Sequence, residues 1–492
     1  MRPLVVVAVL GSLGLLLVPW RSTAAQADTV WRLAAGSDIQ RVRDCPAREL
    51  LVVTKNSLLA VDASTGTKLW ERTDLPSFGW GLYLPCEGKT GLSYRGDKMV
   101  AFDVVSGQQR WDAAALPAFS EIRGTAVIGH QDLVLLFLRT QTSDRSVAAL
   151  RTSSGERLWQ RDDVFQVSPA FDMHDGVSDI DRFQGFITSG DTSLTMYLSL
   201  DGPMRIDLRT GATLWRGQAL AGQPVPSVGD YPRMHLVDST LVIPRDKGLV
   251  GVDARSGQVR WQNDTLLPRR ATLLAPVPAG ILIRAGTDYA NVLDPATGTF
   301  RWSRPITLRT DGAGPYIFRT DGGAFTIVEN RYYFVSRDRF MVTDLATGDT
   351  TGSEKLRFKD TEWASRVFRV GDGFVVISRQ NLFRVDARGA LRYQRFYNAP
   401  GTSFLQQMGG MYGTYGSAAV DGQYAYFVTN QPDSAGRKGN SLLRVALDDG
   451  SEAGRVWLRV KAPTYWLDSP RDQVLMLADD RSLVAVRFGS KR

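Results

Sequence analysis

Chemistry-bearing side chains are scarce in this chain. Among its 492 residues stand 2 Cys and 3 His. Two cysteines cannot build a disulfide scaffold or a Cys-rich zinc module. The scattered His130, His174 and His235 leave little material for a histidine metal centre. Neither H-E-x-x-H nor G-x-S-x-G occurs, so the zinc-protease and nucleophile-elbow signatures are missing. Beyond the first two dozen residues no stretch approaches the roughly 18 apolar residues of a spanning helix, and helical periodicity is nearly absent. The formal charge is +8, yet 49 of the 59 basic residues are Arg, a bias that carries little functional weight. No nucleic-acid partner is expected.

The first segment reads as an address. Arg2, an apolar run over residues 4–18 and Ala25-Gln26-Ala27 together have the layout of a secretory signal peptide with a small-x-small cleavage site. We therefore divide the chain into a signal peptide, 1–27, and one domain, 28–492. No cysteine closely follows the apolar run, so a lipid attachment site is not expected. The mature chain is expected to be exported to the periplasm or beyond, with no membrane span after cleavage.

What is abundant is glycine, 47 residues, and tryptophan, 12 residues, and both recur with a period. Residues 58–70 read LLAVDASTGTKLW, and echoes follow at 99–111, 147–159, 203–215, 249–261 and 290–302. Weaker copies stand at 340–349, 382–393, 442–451 and 482–489. The anchoring residues Trp70, Trp111, Trp159, Trp215, Trp261 and Trp302 are separated by 41, 48, 56, 46 and 41 residues. Periods of that size, each holding several short strands, indicate propeller blades. The expected fold is all-β, a single β-propeller of four-stranded antiparallel blades. Ten repeat units are counted, which leaves eight to ten blades open.

Each unit has a mechanical sense. An alternating strand ends in Asp (Asp62, Asp103, Asp207, Asp253, Asp294), whose carboxylate can cap the tight turn that follows. Gly66, Gly107, Gly211, Gly257 and Gly298 supply the positive φ of that turn. The next strand places Trp where a large flat ring can fill the wedge between blades. The last unit, 482–489, has no room for its own outer strand. Residues 30–33, with Trp31, look like that missing strand and are expected to close the ring.

The pattern Val61-Asp62-Ala-Ser-Thr65-Gly66-Thr-Lys-Leu-Trp70 resembles the pyrroloquinoline-quinone-type (PQQ-like) propeller repeat. Two branches of that superfamily matter. The quinoprotein dehydrogenases hold quinone and calcium on the ring axis. The outer-membrane assembly group typified by BamB is a set of non-catalytic adaptors. Both usually have eight blades. The dehydrogenase branch implies an adjacent Cys-Cys pair, a calcium site and a catalytic Asp, and this chain has no Cys-Cys. Cys45 and Cys86 instead lie 17 residues before Asp62 and Asp103, the same place in consecutive units, so an exported chain could join them in a disulfide. No catalytic residue is assigned.

Two stretches break the blade rhythm, and function concentrates on such loops. Residues 164–192 hold Asp172, Asp175, Asp179 and Asp181, a weak calcium candidate whose blander reading is a solvated loop. Residues 396–423 hold Phe404, Gln407, Met408, Met411, Tyr412 and Tyr415 among many glycines, which suits either an adaptable protein-binding surface or an inner strand with a slack connection. The expectation is a monomeric, exported, non-catalytic adaptor or scaffold that binds an envelope or secreted protein and needs no cofactor. The alternative is a soluble quinoprotein oxidoreductase with PQQ and calcium on the axis.

Overall fold

In a computed structural model, the β-rich runs between Gly- and Asp-marked turns become 41 strands among the described residues, with a 3-10 turn at Gln218–Leu220. The structure describes residues 28–45, 49–79, 81–84, 90–112, 119, 121–128, 131–141, 146–163, 177–179, 186–188, 192–198, 202–221, 235–245, 248–264, 271–285, 289–307, 325–336, 339–357, 366–378, 380–398, 419–433, 435–458, 465–468 and 473–488. Residues 1–27, expected from the sequence to be a signal peptide, lie outside them.

The strands form ten sheets, and these are the blades of one propeller. In blade 1 the strands are Ile39–Cys45, Glu49–Thr54, Leu58–Asp62 and Lys68–Arg72, each antiparallel to the next. Blades 2 to 9 repeat this order over 82–112, 121–161, 186–216, 235–263, 271–307, 325–355, 366–396 and 419–457. The weak repeats at 340–349, 382–393, 442–451 and 482–489 each carry a blade of their own, so the number is ten.

Blade 10 is completed from the other end of the chain. Tyr465–Asp468, Gln473–Asp479 and Ser482–Arg487 supply three strands, and Asp28–Ala34 adds the fourth. Trp31 stands opposite Ala485 and Leu33 opposite Leu483. The strand expected at 30–33 is therefore where the missing outer strand belongs.

First strands of neighbouring blades touch, as Phe325–Val328 does with Arg366–Val370, which places them at the axis. Fourth strands face outward, and Leu69 there is 49% exposed. Middle strands depart from the expected alternation: Glu49–Thr54 and Leu58–Asp62 are buried on both faces apart from their Glu49 and Asp62 ends. A middle strand is sandwiched between two neighbouring blades, so neither face meets water. The core is accordingly distributed as ten apolar clusters, one at each blade-to-blade junction.

Blade 3 departs from four strands. Val177–Asp179 pairs in parallel with Glu121–Ile128 and makes a fifth strand on its inner edge, where unpaired backbone groups can accept one. The stretch 164–192 is thus more than an insertion, since Phe186–Thr188 also supplies the first strand of blade 4. Likewise Ala419–Asp421, inside the stretch 396–423, is the first strand of blade 9.

Candidate functional site

The motif that marks the repeat is also the contact that joins the blades. In blade 1 the Asp62 carboxylate accepts the backbone N–H of Ser64 at 2.8 Å and of Thr65 at 3.0 Å, and Gly66 N donates to Asp62 O at 2.8 Å. Asp103, Asp207 and Asp253 cap their turns in the same way, and Asp294 does so through Ala296 N. The Ser64 hydroxyl and then these N–H groups hold the Asp62 carboxyl below its usual range, against the opposing effect of burial. Arg260 does most to lower Asp253, with Ser256 N–H next. A carboxylate spent on its own turn is a poor proton shuttle and a poor metal ligand.

The turn so built receives the tryptophan of the preceding blade. Trp70 Nε1 donates to Val105 O at 2.8 Å while its indole lies against Gly107. Trp111, Trp159, Trp215, Trp261 and Trp302 repeat this on Gly155, Gly211, Gly257, Gly298 and Gly348. Glycine is required at this spot twice over: at Gly66 φ is +72°, and an added Cβ would stand 2.7 Å from the Trp31 ring.

A second latch escaped the sequence reading. Two residues past the tryptophan, Arg72 donates to Gly107 O and Arg161 to Gly211 O, both at 2.7 Å, and Asn263 to Gly298 O at 2.5 Å. The signal W-x-[RN] was present in the chain. Also overlooked was the Arg just before the tryptophan, which returns to the turn carboxylate: Arg110 meets Asp103 at 2.6 Å and Arg260 meets Asp253.

Exceptions to the motif are compensated. Blade 3 has Arg151 where blades 1, 2 and 4 to 8 have Asp, and Asp132, from the preceding hairpin, reaches across to cap Ser153 N at 2.8 Å. Between blades 8 and 9, Tyr393 takes the place of Trp and donates to Leu447 O at 2.6 Å. Blade 9 has Gly454 at the Trp position, and Phe488 of blade 10 fills that space from the opposite side. Blade 7 has Thr351 there, opposite Val342, and at its junction with blade 8 Tyr333 packs on Phe374 with ring centroids 4.0 Å apart.

The face opposite the capped turns carries the loops between second and third strands. Nine of these have two to six residues, but in blade 9 the loop spans 430–440. It is tightly organised. Asp433 accepts the N–H of Ala435 and Arg437, and the buried Arg455 ties the loop base through Gln431 O at 2.9 Å while Glu452 holds its guanidinium. On the same face an open depression of about 670 Å³ lies among Asp74, Arg95, Asp97, Lys98 and Asp112. Its charges are of both signs, and no set of groups converges in it.

Most residues singled out for binding fall elsewhere. Phe404, Gln407, Met408, Met411, Tyr412 and Tyr415 lie outside the described residues, as do Asp172, Asp175 and Asp181, while Asp179 ends the fifth strand of blade 3. Cys45 ends the first strand of blade 1, and Cys86 lies outside the described residues. The chain offers little for a quinone and calcium: no adjacent cysteines, turn carboxylates engaged in caps, and, among the described residues, no three His, Cys, Asp or Glu grouped as metal ligands. No helix among the described residues is long and apolar enough to cross a membrane.

The family model described as "Outer membrane protein assembly factor BamB" matches residues 54–202 and 194–286. No curated protein sequence matches the chain. Among solved structures, BamB from Moraxella catarrhalis is 15% identical with a TM-score of 0.36, over 75% of this chain and 98% of that one. The computationally designed Ika8 protein is 14% identical with a TM-score of 0.38, over 75% and 99%. Sqt1 of Saccharomyces cerevisiae is 9% identical with a TM-score of 0.38, over 95% and 100%. The repeat, the junction it builds and the family match agree: the chain is a β-propeller, and its residues 54–286 are similar to the PQQ-like, BamB-type repeat group.

Proposed function

We propose that this propeller is an exported, monomeric adaptor or scaffold of the cell envelope that binds another protein and catalyses nothing. The match of residues 54–286 to the repeat model of an outer membrane assembly factor carries this reading. Two further points support it. Residues 1–27 have the layout of a secretory leader. The repeated carboxylates are used to hold the ring, and Arg437 on Trp457 at the long loop of blade 9 suits protein recognition.

Chemical cross-linking in the native envelope followed by capture of the chain tests the reading. One defined protein partner is expected at near-stoichiometric yield. Addition of PQQ and calcium, with dye-linked oxidation of alcohols or sugars as the readout, tests the oxidoreductase alternative. Sustained turnover there overturns the adaptor reading.

A further inference from the structure

The long loop of blade 9 shapes a surface that no other blade has. Its turn at 433–437 is fixed by the two N–H groups donated to Asp433 and by Gly436 N donating to Asp433 O at 3.0 Å. That turn sets the Arg437 guanidinium over the Trp457 ring, 4.4 Å from its centroid. Lys438 stands next to it, and both cations are exposed. At the loop's base, Phe396, which ends the outer strand of blade 8 and is 40% exposed, accepts a hydrogen bond on its carbonyl from Gln431. The loop thus holds two exposed cations, one of them on an indole, and its base is tied to the strand end that exposes Phe396; this edge forms a shelf.

The charge balance of the shelf is uneven. Glu452 is bound to Arg455 through both oxygens, at 2.9 and 2.8 Å, and Asp433 accepts the N–H groups of its own turn. Among the described residues no carboxylate pairs with the Arg437 guanidinium or the Lys438 ammonium. The chain leaving Asn398, which accepts hydrogen bonds from Asn430 N and Thr429, continues through 399–418 without one acidic residue.

We infer that this shelf is a docking site for an acidic segment of a partner protein, its carboxylates set against Arg437 and Lys438 and an apolar or aromatic side chain against Phe396 and Trp457. The inference rests on the adaptor reading and names the partner's chemistry. A guanidinium already stacked on an indole is pre-oriented, so little side-chain freedom is lost when a carboxylate joins it. Steering by two exposed cations is strongest at low ionic strength.

The test uses the full mature chain and its Arg437→Ala/Lys438→Ala double variant, first checked for an unchanged melting temperature. The probe is a fluorescein-labelled peptide of Glu and Phe, read by anisotropy against the same peptide with Gln for Glu. Binding of the Glu peptide that falls about tenfold or more in the variant and weakens with salt supports the site. Equal binding of the Gln peptide, equal binding by the variant, or tighter binding of a single-stranded oligonucleotide of the same charge overturns it. Envelope capture with both proteins separates the two claims. Equal capture by wild type and variant, with no peptide binding, sinks the shelf and leaves the adaptor. Capture of nothing by either, with peptide binding intact, sinks the adaptor.

Discussion

The indole of Trp31 lies against Gly66 and donates its Nε1 hydrogen to Ala63 O at 2.8 Å. Trp31 sits on the strand that blade 10 takes from the start of the domain, so this contact joins the last blade to the first. Trp31→Ala should remove a buried ring and one hydrogen bond, lowering stability by about 3–5 kcal/mol. Trp31→Phe should keep much of the wedge and lose the bond, at about 1 kcal/mol. Denaturant midpoints of the two variants check this, and equal midpoints would sink it.

Gly66 and Gly36 offer a controlled comparison. Both have φ near +75°, at +72° and +75°, but a Cβ at Gly36 meets nothing within 4 Å, while one at Gly66 strikes the Trp31 ring. Gly36→Ala should cost only the backbone strain, about 1 kcal/mol. Gly66→Ala should cost clearly more, because the indole has to move. Thermal melts of the pair measure the wedge without altering tryptophan.

Asp132 does for blade 3 what Asp62 does for blade 1, from 21 residues upstream of Ser153. Its φ is +54°, so Asp132→Gly removes the carboxylate without adding strain. A loss of about 1 kcal/mol is expected. Arg151→Asp in the Asp132→Gly background should restore the cap by rebuilding the motif Asp-Thr-Ser-Ser-Gly in place. Failure of the double variant to recover stability would show that the two carboxylates are not interchangeable.

Stability should fall in acid. Asp62, Asp103, Asp207, Asp253 and Asp386 all have folded-state carboxyls below the ordinary value, and Asp253 is lowered most by Arg260. The unfolded chain therefore binds more protons as pH drops below about 4, and the caps lose their contribution through that window and lower. Above it the contribution is complete and flat. Melting temperature against pH should show a steep acid limb, shallower in Asp253→Asn.

The fold was legible where one residue type does one job. Asp, Gly and Trp at fixed spacing announce turn, positive φ and wedge, and Trp31 was recognisable as the ring that blade 10 lacks. Blade number was harder to read, because the late units exchange their marks: Gly454 occupies the Trp position and Phe488 answers it from the next blade. Asp132 was invisible for the same reason, since its partner lies across a hairpin rather than along the motif. Arg72 and Arg161 were hidden by their abundance, as an Arg-rich chain gives a lone Arg little weight. The shelf of blade 9 escaped because Trp457 and Arg437 belong to no repeat; an 11-residue loop where others have two to six was the available signal.

In mechanical terms the ring is a hoop riveted unevenly. Seven seams, from blade 10 round to blade 7, each carry an indole rivet seated on a glycine. Blades 8 and 9 are fastened to each other through Tyr393, but the seams on their far sides, to blade 7 and to blade 10, have no such indole among the described residues. A force that distorts the hoop will open those two seams first. The pair between them carries the long loop, so a protein pulling on that shelf would tug a two-blade cassette rather than the whole ring.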